Sequence, residues 1–222
     1  MAERGAIFNA DMVRALQRRA KTQTRRPVEV SATGANGGAL LEIVPSESLA
    51  SRGLLWDARY HLDNPRTLRS PLGAVGDLLY VRETYSPRLD VDPITEPEKA
   101  RHYMRYRADG DDLENEWHSY GQWCPSSRMP KWAARLWLEI TGVRVERVAS
   151  ITEEDARAEG VEPQPMVFSH DLSHPLPNPR PTSHIIGFRE LWASIYGYES
   201  WARKDWVWVY NLRCVDRSAV AA

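Results

Sequence analysis

Residues 15–30, ALQRRAKTQTRRPVEV, lie where a predicted helix meets a predicted strand. Five of these sixteen residues are Arg or Lys. Upstream, residues 9–20 show apolar positions at helical spacing behind Asn9 or Asp11, either of which can cap a helix. Downstream, the chain turns to β-branched residues and reaches Pro27, which predicts a turn and then a strand. This break decides where the side chains of the basic stretch point.

A helix that ends near Ala20 places Lys21 at the turn. In the strand that follows, Thr22, Thr24 and Arg26 share one face because side chains alternate. A lysine near other cations and away from water loses proton affinity. As a neutral amine, Lys21 could activate the hydroxyl of Thr24 or a water molecule. The alternative is that these cations only stabilise the carboxyl end of the helix.

The positive charge is local. The chain has 222 residues, of which 42% are hydrophobic and 27% charged, as in an ordinary globular protein. Residues 1–30 hold seven Arg or Lys and three Asp or Glu, a local charge of +4 on a chain of net charge −1. Nine Trp and nine Tyr accompany three Phe. Trp and Tyr suit base-stacking surfaces, with core packing as the alternative for most of them. We therefore expect a phosphate-bearing partner.

Several classes of protein are disfavoured by the sequence. Two distant cysteines make neither a disulfide framework nor a metal knuckle. His170 and His174 are four apart but lie in a predicted loop, so no metal site is expected. The amino terminus lacks the apolar core of a signal peptide, and no apolar run is long enough for a membrane span. The chain has no GxxxxGK[ST] or GxGxxG motif. A cytoplasmic protein without a cofactor is the expectation.

The other regular elements follow from periodicity and turn residues. Strands are predicted at 76–85, 135–151 and 205–215, and helices at 152–160 and 182–197. Thr152 would cap the first of these helices and Gly160 would end it. The second should bury one side, which comprises Ile185, Phe188, Leu191, Trp192 and Ile195.

These elements predict an α+β fold. We expect a small β-barrel of about 5–6 mostly antiparallel strands, decorated by about three helices. A single domain would span residues 1–222. Residues 31–72 and 161–182 are rich in Pro, Gly, Ser and Asn, and are expected to be loop-rich insertions, the first with one possible strand.

Two further stretches carry candidate binding residues. Arg82 and Glu83 point to opposite faces of one predicted strand, so Arg82 could grip a phosphate while Glu83 faces the other way. A surface ion pair is the alternative. The second stretch, WCPSSRMPKW (123–132), interleaves aromatic and basic residues, a pattern that suits base stacking and phosphate contacts. Its candidates are Trp123, Ser127, Arg128 and Trp132, with packing as a lid on the barrel expected for Trp132.

The order of these motifs resembles the ASCH domains, a branch of the PUA-like superfamily. ALQRRAKTQTRRP is similar to their helix and lysine-threonine-x-threonine stretch, and GDLLYVRETY to the barrel strand that follows. ITEEDARAEGV is similar to a later helix with a glutamate near its end. SSRMPKWAARLWLEITGVRVERV and the closing FRELWASIYG and WVWVYNLRCV resemble longer ASCH-like proteins of phages and prophages. The resemblance covers most of the chain and leaves the two insertions out.

The resemblance implies a small β-barrel with a cleft beside the lysine. Small bacterial members are amidohydrolases that remove the acetyl group from N4-acetylcytidine, and their catalytic lysine, threonine and glutamate match Lys21, Thr24 and Glu159. Other members are ribonucleases or RNA-binding modules. By this resemblance Glu159 would orient Lys21 or protonate the leaving amine, with an exposed helix-end carboxylate as the alternative. The expected function is hydrolysis of a modified nucleoside or nucleotide. The alternatives are RNA or single-stranded nucleic-acid binding without catalysis, and ribonuclease activity in the same cleft.

Overall fold

The chain has an α+β fold. The computed structural model describes residues 1–30, 35, 39–46, 54–61, 64–92, 94–110, 119–165 and 182–216. Its strands are β1 (Glu3–Ile7), β2 (Gln23–Pro27), β3 (Leu40–Pro45), β4 (Leu55–Tyr60), β5 (Arg66–Arg69), β6 (Leu78–Arg82), β7 (Tyr85–Ser86), β8 (Arg105–Tyr106), β9 (Trp137–Arg147), β10 (Gln164–Pro165), β11 (Thr182–Ser183) and β12 (Trp206–Val215). Its helices are α1 (Ala10–Gln17), α2 (Pro97–His102), α3 (Glu153–Ala158), α4 (His184–Tyr196) and α5 (Tyr198–Ala202).

The predicted α+β class is confirmed, and the predicted number of elements is too low. Within the described ranges there are twelve strands and five α-helices. The strands of those ranges form sheets that do not close on themselves. Closure into a PUA-like barrel therefore stays a prediction.

The chain divides into two compact units, each built from separate stretches of sequence. The first unit comprises residues 1–19, 76–140 and 213–222, and the second comprises residues 20–75 and 141–212. The prediction of a single domain over the whole chain remains a prediction.

The first unit is organised around the order β1-β6-β9. β1 runs parallel to β6, and β6 pairs antiparallel with the first residues of β9. A buried cluster packs beside the short β7–β8 pair, comprising Tyr85, Met104, Tyr106, Met129, Ala133 and Ala134.

Helix α1 ends earlier than its periodicity predicts. Its amino terminus is capped by Asn9, which accepts a hydrogen bond from the Met12 amide at 2.9 Å. Its last residue is Gln17 rather than a residue near Ala20. Arg19 then adopts a left-handed backbone conformation, with φ of 57°. A side chain in that region costs on the order of 1 kcal/mol, which is why glycine usually occupies this place after a helix.

The second unit contains the order β9-β12-β2, in which β2 pairs antiparallel with β12. Within the described residues of the predicted loop-rich insertion 31–72, three strands form an antiparallel sheet in the order β3-β4-β5, where the sequence predicted at most one strand. Alternate residues of β4 are buried, and Trp56 meets the edge of Trp208 with ring centroids 6.0 Å apart. The sequence analysis missed this alternation of buried and more exposed residues because turn-forming residues separate the short strands. Residues 166–181 of the second predicted insertion lie outside the described part of the chain.

Helices α3 and α4 pack over a hydrophobic cluster of the second unit. Phe188 and Trp192 of α4 are each 2% exposed and lie against Val207 and Val209 of β12. The predicted buried side of α4 is wrong at Ile195, which is 49% exposed. The helical period identified the correct side, but the helix ends at Tyr196 and leaves its last turn at the surface.

None of the helices in the described ranges is both long and apolar enough to cross a lipid bilayer.

Glu153 joins the start of α3 to the start of α4. Its carboxylate accepts hydrogen bonds from the His184 amide at 2.6 Å and from the Ser183 hydroxyl at 2.9 Å. The amide and hydroxyl donors lower the pKa of Glu153 from 4.5 to about 2. A carboxylate at the amino terminus of a helix also interacts favourably with the helix dipole.

We expect Glu153→Gln to remove an acid-sensitive part of the stability. Because the folded pKa lies below the unfolded value, this contribution is complete above about pH 4.5 and is lost as the pH falls towards about 2. Screening at this exposed site limits the difference from wild type to roughly 1 kcal/mol near neutral pH. Urea unfolding between pH 7 and pH 2.5 measures it. Glu154→Gln, at an exposed neighbouring residue, is the control, and an equal effect in both variants would contradict the assignment.

Candidate active site

The site lies in the second unit, where two ordinary helix signals position the glutamate. Thr152 caps α3 by accepting a hydrogen bond from the Asp155 amide at 3.1 Å, and Gly160 ends the helix with φ of 79°. Glu159 is therefore the residue that follows the last helical turn. The Thr22 amide donates to the carbonyl of Ala158 at 2.8 Å, which ties the residues before β2 to this helix end.

Lys21 and Glu159 form a buried ion pair. The Lys21 Nζ atom lies 2.7 Å from Glu159 Oε2 and 2.9 Å from the carbonyl oxygen of the same residue. Their side chains are 0% and 2% exposed. The structure thus brings together two predicted catalytic residues that are 138 positions apart in sequence. The alternative of an exposed helix-end carboxylate is wrong.

The environment of Lys21 favours loss of its proton. Burial lowers the pKa of Lys21 below its usual 10.5, because a charged amine loses its hydration. Glu159 opposes this effect through its charge and its hydrogen bond, and the charges of Arg26 and Arg25 reinforce it. A lysine that acts as a base needs a lowered pKa, and the pKa of Lys21 is lowered.

Arg25 links this pair to two more carboxylates. Its side chain is 0% exposed. One terminal nitrogen lies 3.1 Å from Glu159 Oε1, and the other lies 2.6 Å from Glu146 and 3.0 Å from Asp155. Gln23, two residues earlier on the same strand face, accepts from Arg25 at 2.6 Å. Arg25 thus bridges three carboxylates.

Asp155 receives further donors at the edge of this network. Burial raises its pKa, but the hydrogen bond from Gln23 and the charges of Arg144 and Arg25 outweigh burial and lower it below its usual 3.8. Arg144 lies 2.8 Å from Asp155 and 3.0 Å from Glu146. These contacts favour the ionised form of Asp155 and hold α3 against β2 and β9.

Thr24 is hydrogen-bonded to Arg26, whose charge also acts on Lys21. It is fully buried, and its hydroxyl accepts a hydrogen bond from Arg26 at 2.9 Å. Strand alternation places Thr24 and Arg26 on one face of β2, and Gln23 and Arg25 on the other. Lys21 makes its contacts with Glu159, on the Gln23 and Arg25 side. The structure therefore shows direct contact between two members of the predicted trio, Lys21 and Glu159, while the third, Thr24, is hydrogen-bonded to Arg26.

Arg82 and Glu83, in the first unit, do diverge as predicted. Glu83 is 1% exposed and holds Arg135 by two hydrogen bonds of 2.9 and 3.0 Å. Burial raises the pKa of Glu83, and Arg135 opposes that rise. Arg82 donates to the backbone carbonyls of Ser127 and Met129. The two residues do not form the surface ion pair considered as the alternative, and Arg82 supports a loop.

The stretch from residue 123 contains two short turns of 3₁₀ helix, Ser126–Arg128 and Lys131–Ala133, rather than one extended surface. Ser127 and Arg128 are exposed. Trp132 is half-buried and packs against the Tyr85 and Met104 cluster, as expected for a packing residue. Its carbonyl also accepts from Arg101 at 2.8 Å.

Trp123 lies in an arginine-rich aromatic cluster. The guanidinium groups of Arg105 and Arg107 lie 5.3 and 5.2 Å from its ring centroid. Arg105 also lies 5.0 Å from the ring of Tyr120. Cations over partly exposed aromatic rings can stack with nucleobases as well as with each other.

The sequence contained signals for some of the partners that were missed. Asp155 lies in α3 and Glu159 directly follows that helix, so that the two residues, four positions apart, lie on one side of it. Arg144 and Glu146 are two residues apart in strand β9, so they also share one face. Nothing local marked Arg25 for burial, since charged residues are mostly exposed.

Two cavities of the second unit open near the end of β2, around Pro27 and Val28. One has a volume of about 490 Å³ and includes Arg147, Arg203 and Trp206 in its wall. The other has a volume of about 310 Å³. The walls of both are formed by residues other than the predicted catalytic trio, which is buried.

In the part of the chain that the structure describes, His, Cys, Asp and Glu side chains form no group of three or more suited to a metal ion. His170 and His174 lie outside those residues.

Comparisons of this chain with protein-family models, with curated proteins and with solved structures found no match.

Proposed function

We propose that this protein is a hydrolase of modified nucleosides that cleaves an N4-acylcytidine-type amide, with Lys21 and Glu159 as its proton-transfer pair. The observation that carries the proposal is their buried contact of 2.7 Å. A lysine buried beside a carboxylate is an uncommon arrangement, since an exposed pair would satisfy both charges at lower cost. Perturbed ionisable groups of this kind concentrate at functional sites.

In the proposed reaction, water adds to the acyl carbon while the neutral amine of Lys21 takes one proton from it. The carbon–nitrogen bond of the tetrahedral intermediate then breaks, and that proton passes to the departing amine of cytosine. The products are a carboxylic acid and the free nucleoside. Glu159 orients Nζ throughout. Because the base must be neutral, activity is expected to rise with pH through the lowered pKa of Lys21.

Thr24 and Arg26 take supporting roles in this proposal. In this proposal water is the attacking nucleophile, and the Thr24 hydroxyl accepts a hydrogen bond from Arg26 and so helps to position that side chain. Lys21 and Glu159 are 1% and 2% exposed, so substrate binding requires neighbouring side chains to move apart. The resemblance to ASCH domains, and the PUA-like barrel that it implies, are part of the same proposal.

The test offers N4-acetylcytidine to wild type and to Lys21→Arg, and measures the release of cytidine. Arginine keeps a cation beside Glu159 but cannot be deprotonated in a protein. We expect the rate to fall by at least about 100-fold, the usual contribution of a general base. Lys204→Arg, at an exposed lysine, should keep wild-type activity.

The fold of each variant is checked by thermal melting, so that a lost activity is not a lost structure. The proposal fails if wild type leaves N4-acetylcytidine intact, or if a folded Lys21→Arg cleaves it at the wild-type rate. Thr24→Val should retain most of the activity, because the hydroxyl is not the nucleophile.

A second function, binding of single-stranded nucleic acid without catalysis, is favoured by the cluster of Arg105, Arg107 and Trp123. The same preparations are mixed with a labelled single-stranded RNA. RNA that binds intact with strong salt dependence, together with unchanged N4-acetylcytidine, supports this second function. RNA that is cut by wild type and spared by Lys21→Arg supports a ribonuclease.

A further inference from the structure

The first unit contains a cavity of about 490 Å³ whose wall carries three guanidinium groups. They belong to Arg19, Arg101 and Arg135, and Asp216 adds one carboxylate to the same wall. Apolar atoms also line the cavity, with Trp137 and Val215 among the residues that supply them. A cavity of this size accommodates a small organic ligand.

One of the three guanidinium groups is already neutralised. Arg135 is held by Glu83 and lies 2.6 Å from Asp109. It also stacks on Tyr106, with the guanidinium carbon 4.0 Å from the ring centroid. Arg135 is therefore a fixed part of the wall.

The other two guanidinium groups lack such compensation. Arg101 donates its Nε hydrogen to the Trp132 carbonyl at 2.8 Å, which orients the group, and its terminal nitrogens make no hydrogen bond to the described residues. Arg19 is exposed at the cavity. Among the described residues, neither Arg19 nor Arg101 has a carboxylate at ion-pair distance. With Arg135 neutralised, these two cations outnumber the single carboxylate of Asp216, so the wall keeps a net positive charge that attracts an anion.

The backbone of Arg19 is also unusual for a residue that is not glycine. It occupies the left-handed position after α1, where its amide donates to the Leu16 carbonyl at 2.9 Å. Glycine is the residue that fits this position without strain. Strained backbone conformations concentrate at ligand sites, where the role of the side chain offsets the loss of stability.

We propose that this cavity binds a small phosphate monoester, with Arg19 and Arg101 holding the phosphate and the apolar wall contacting the organic part. Guanidinium groups bind phosphate oxygens through paired hydrogen bonds, which makes them the usual ligands for this anion. The site belongs to the first unit and is independent of the hydrolase proposed for the second unit.

Cys214 provides a local reporter, because it lines the cavity while the other cysteine, Cys124, does not. The probe is cytidine 5′-monophosphate, and the measurement is the rate at which N-ethylmaleimide modifies each cysteine. Burial raises the pKa of the Cys214 thiol, so the labelling is run at mildly alkaline pH. We expect the probe to slow modification of Cys214 and to leave Cys124 unchanged. Cytidine without its phosphate should protect neither cysteine.

Arg19→Gly separates a binding role from a structural one. Glycine relieves the backbone strain, so the variant should melt at the same or a higher temperature than wild type. It should also bind the probe at least about tenfold more weakly, since a charge-assisted paired contact is lost. The matched control is Lys204→Gly, at the other non-glycine residue with positive φ, 55°, in the described chain. This control should melt no lower and bind the probe as wild type does.

The proposal is overturned if the probe leaves the labelling of Cys214 unchanged in wild type. It is equally overturned if folded Arg19→Gly binds the probe within twofold of wild type. Loss of N4-acetylcytidine hydrolysis bears on the other proposal alone, because this test measures no hydrolysis.

Discussion

Glu159→Gln is expected to lower the free energy of unfolding by about 3–5 kcal/mol at neutral pH, as removal of one partner of a buried ion pair usually does. The variant leaves the ammonium group of Lys21, whose side chain is 0% exposed, without its carboxylate. Lys21 must then remain charged in an apolar site or release its proton, and either alternative costs free energy. Urea unfolding of wild type and variant measures the loss.

The pH dependence of this loss has a defined sign. The folded pKa of Lys21 lies below its unfolded value of 10.5 in wild type, and the variant should lower it further because Glu159 raises it. At pH values between the folded and the unfolded pKa of Lys21, the unfolded chain binds more protons than the folded one, so stability rises with pH. The gap between variant and wild type should therefore narrow as the pH approaches about 10.

Two controls define the origin of the effect. The double variant Lys21→Met, Glu159→Gln should recover most of the loss, since a buried ion pair can often be replaced by neutral groups. Glu96→Gln breaks a half-exposed pair with Lys99, 3.1 Å long, and should cost less than about 1 kcal/mol. If Glu159→Gln also cost less than about 1 kcal/mol, and if that cost did not change up to about pH 10, the burial of Lys21 would be contradicted.

Arg25→Met is expected to lower the free energy of unfolding by a similar amount, about 3–5 kcal/mol. The substitution removes the cation that Glu146, Asp155 and Glu159 share. The carboxylates would then face an apolar side chain and repel one another. Chemical unfolding at pH 7 and at pH 3 measures the change.

The loss should shrink in acid. In wild type the lowered pKa of Asp155 supplies stability that is present above its usual 3.8 and is lost as the pH falls. Without Arg25 that pKa rises, so the variant has less of this stability to lose. Arg144→Met is the matched control: Arg144 contacts the same Asp155 and Glu146 but is 36% exposed, and should cost about 1 kcal/mol or less. Equal losses for the two arginines would contradict the bridging role of Arg25.

Local periodicity was sufficient for most elements of the site. The capping residue Thr152 and the stop at Gly160 predicted α3 and left Glu159 at its end. Alternation in the basic stretch predicted that Thr24 and Arg26 would share a face. It could not say which face Lys21 would join, because Lys21 precedes the pleated strand. Weak local signals also hid the sheet in residues 31–72, where turn residues separate short strands.

The sequence by itself determined that a lysine stands at a helix-to-strand turn, that a glutamate ends a capped helix, and that the class is α+β. These properties depend on neighbours within a few residues, where capping and alternation act. Only the tertiary structure decided that Lys21 would meet Glu159 across 138 positions. It also decided that Arg25 would be buried, since a charge leaves water only where enough opposite charges converge to replace its hydration.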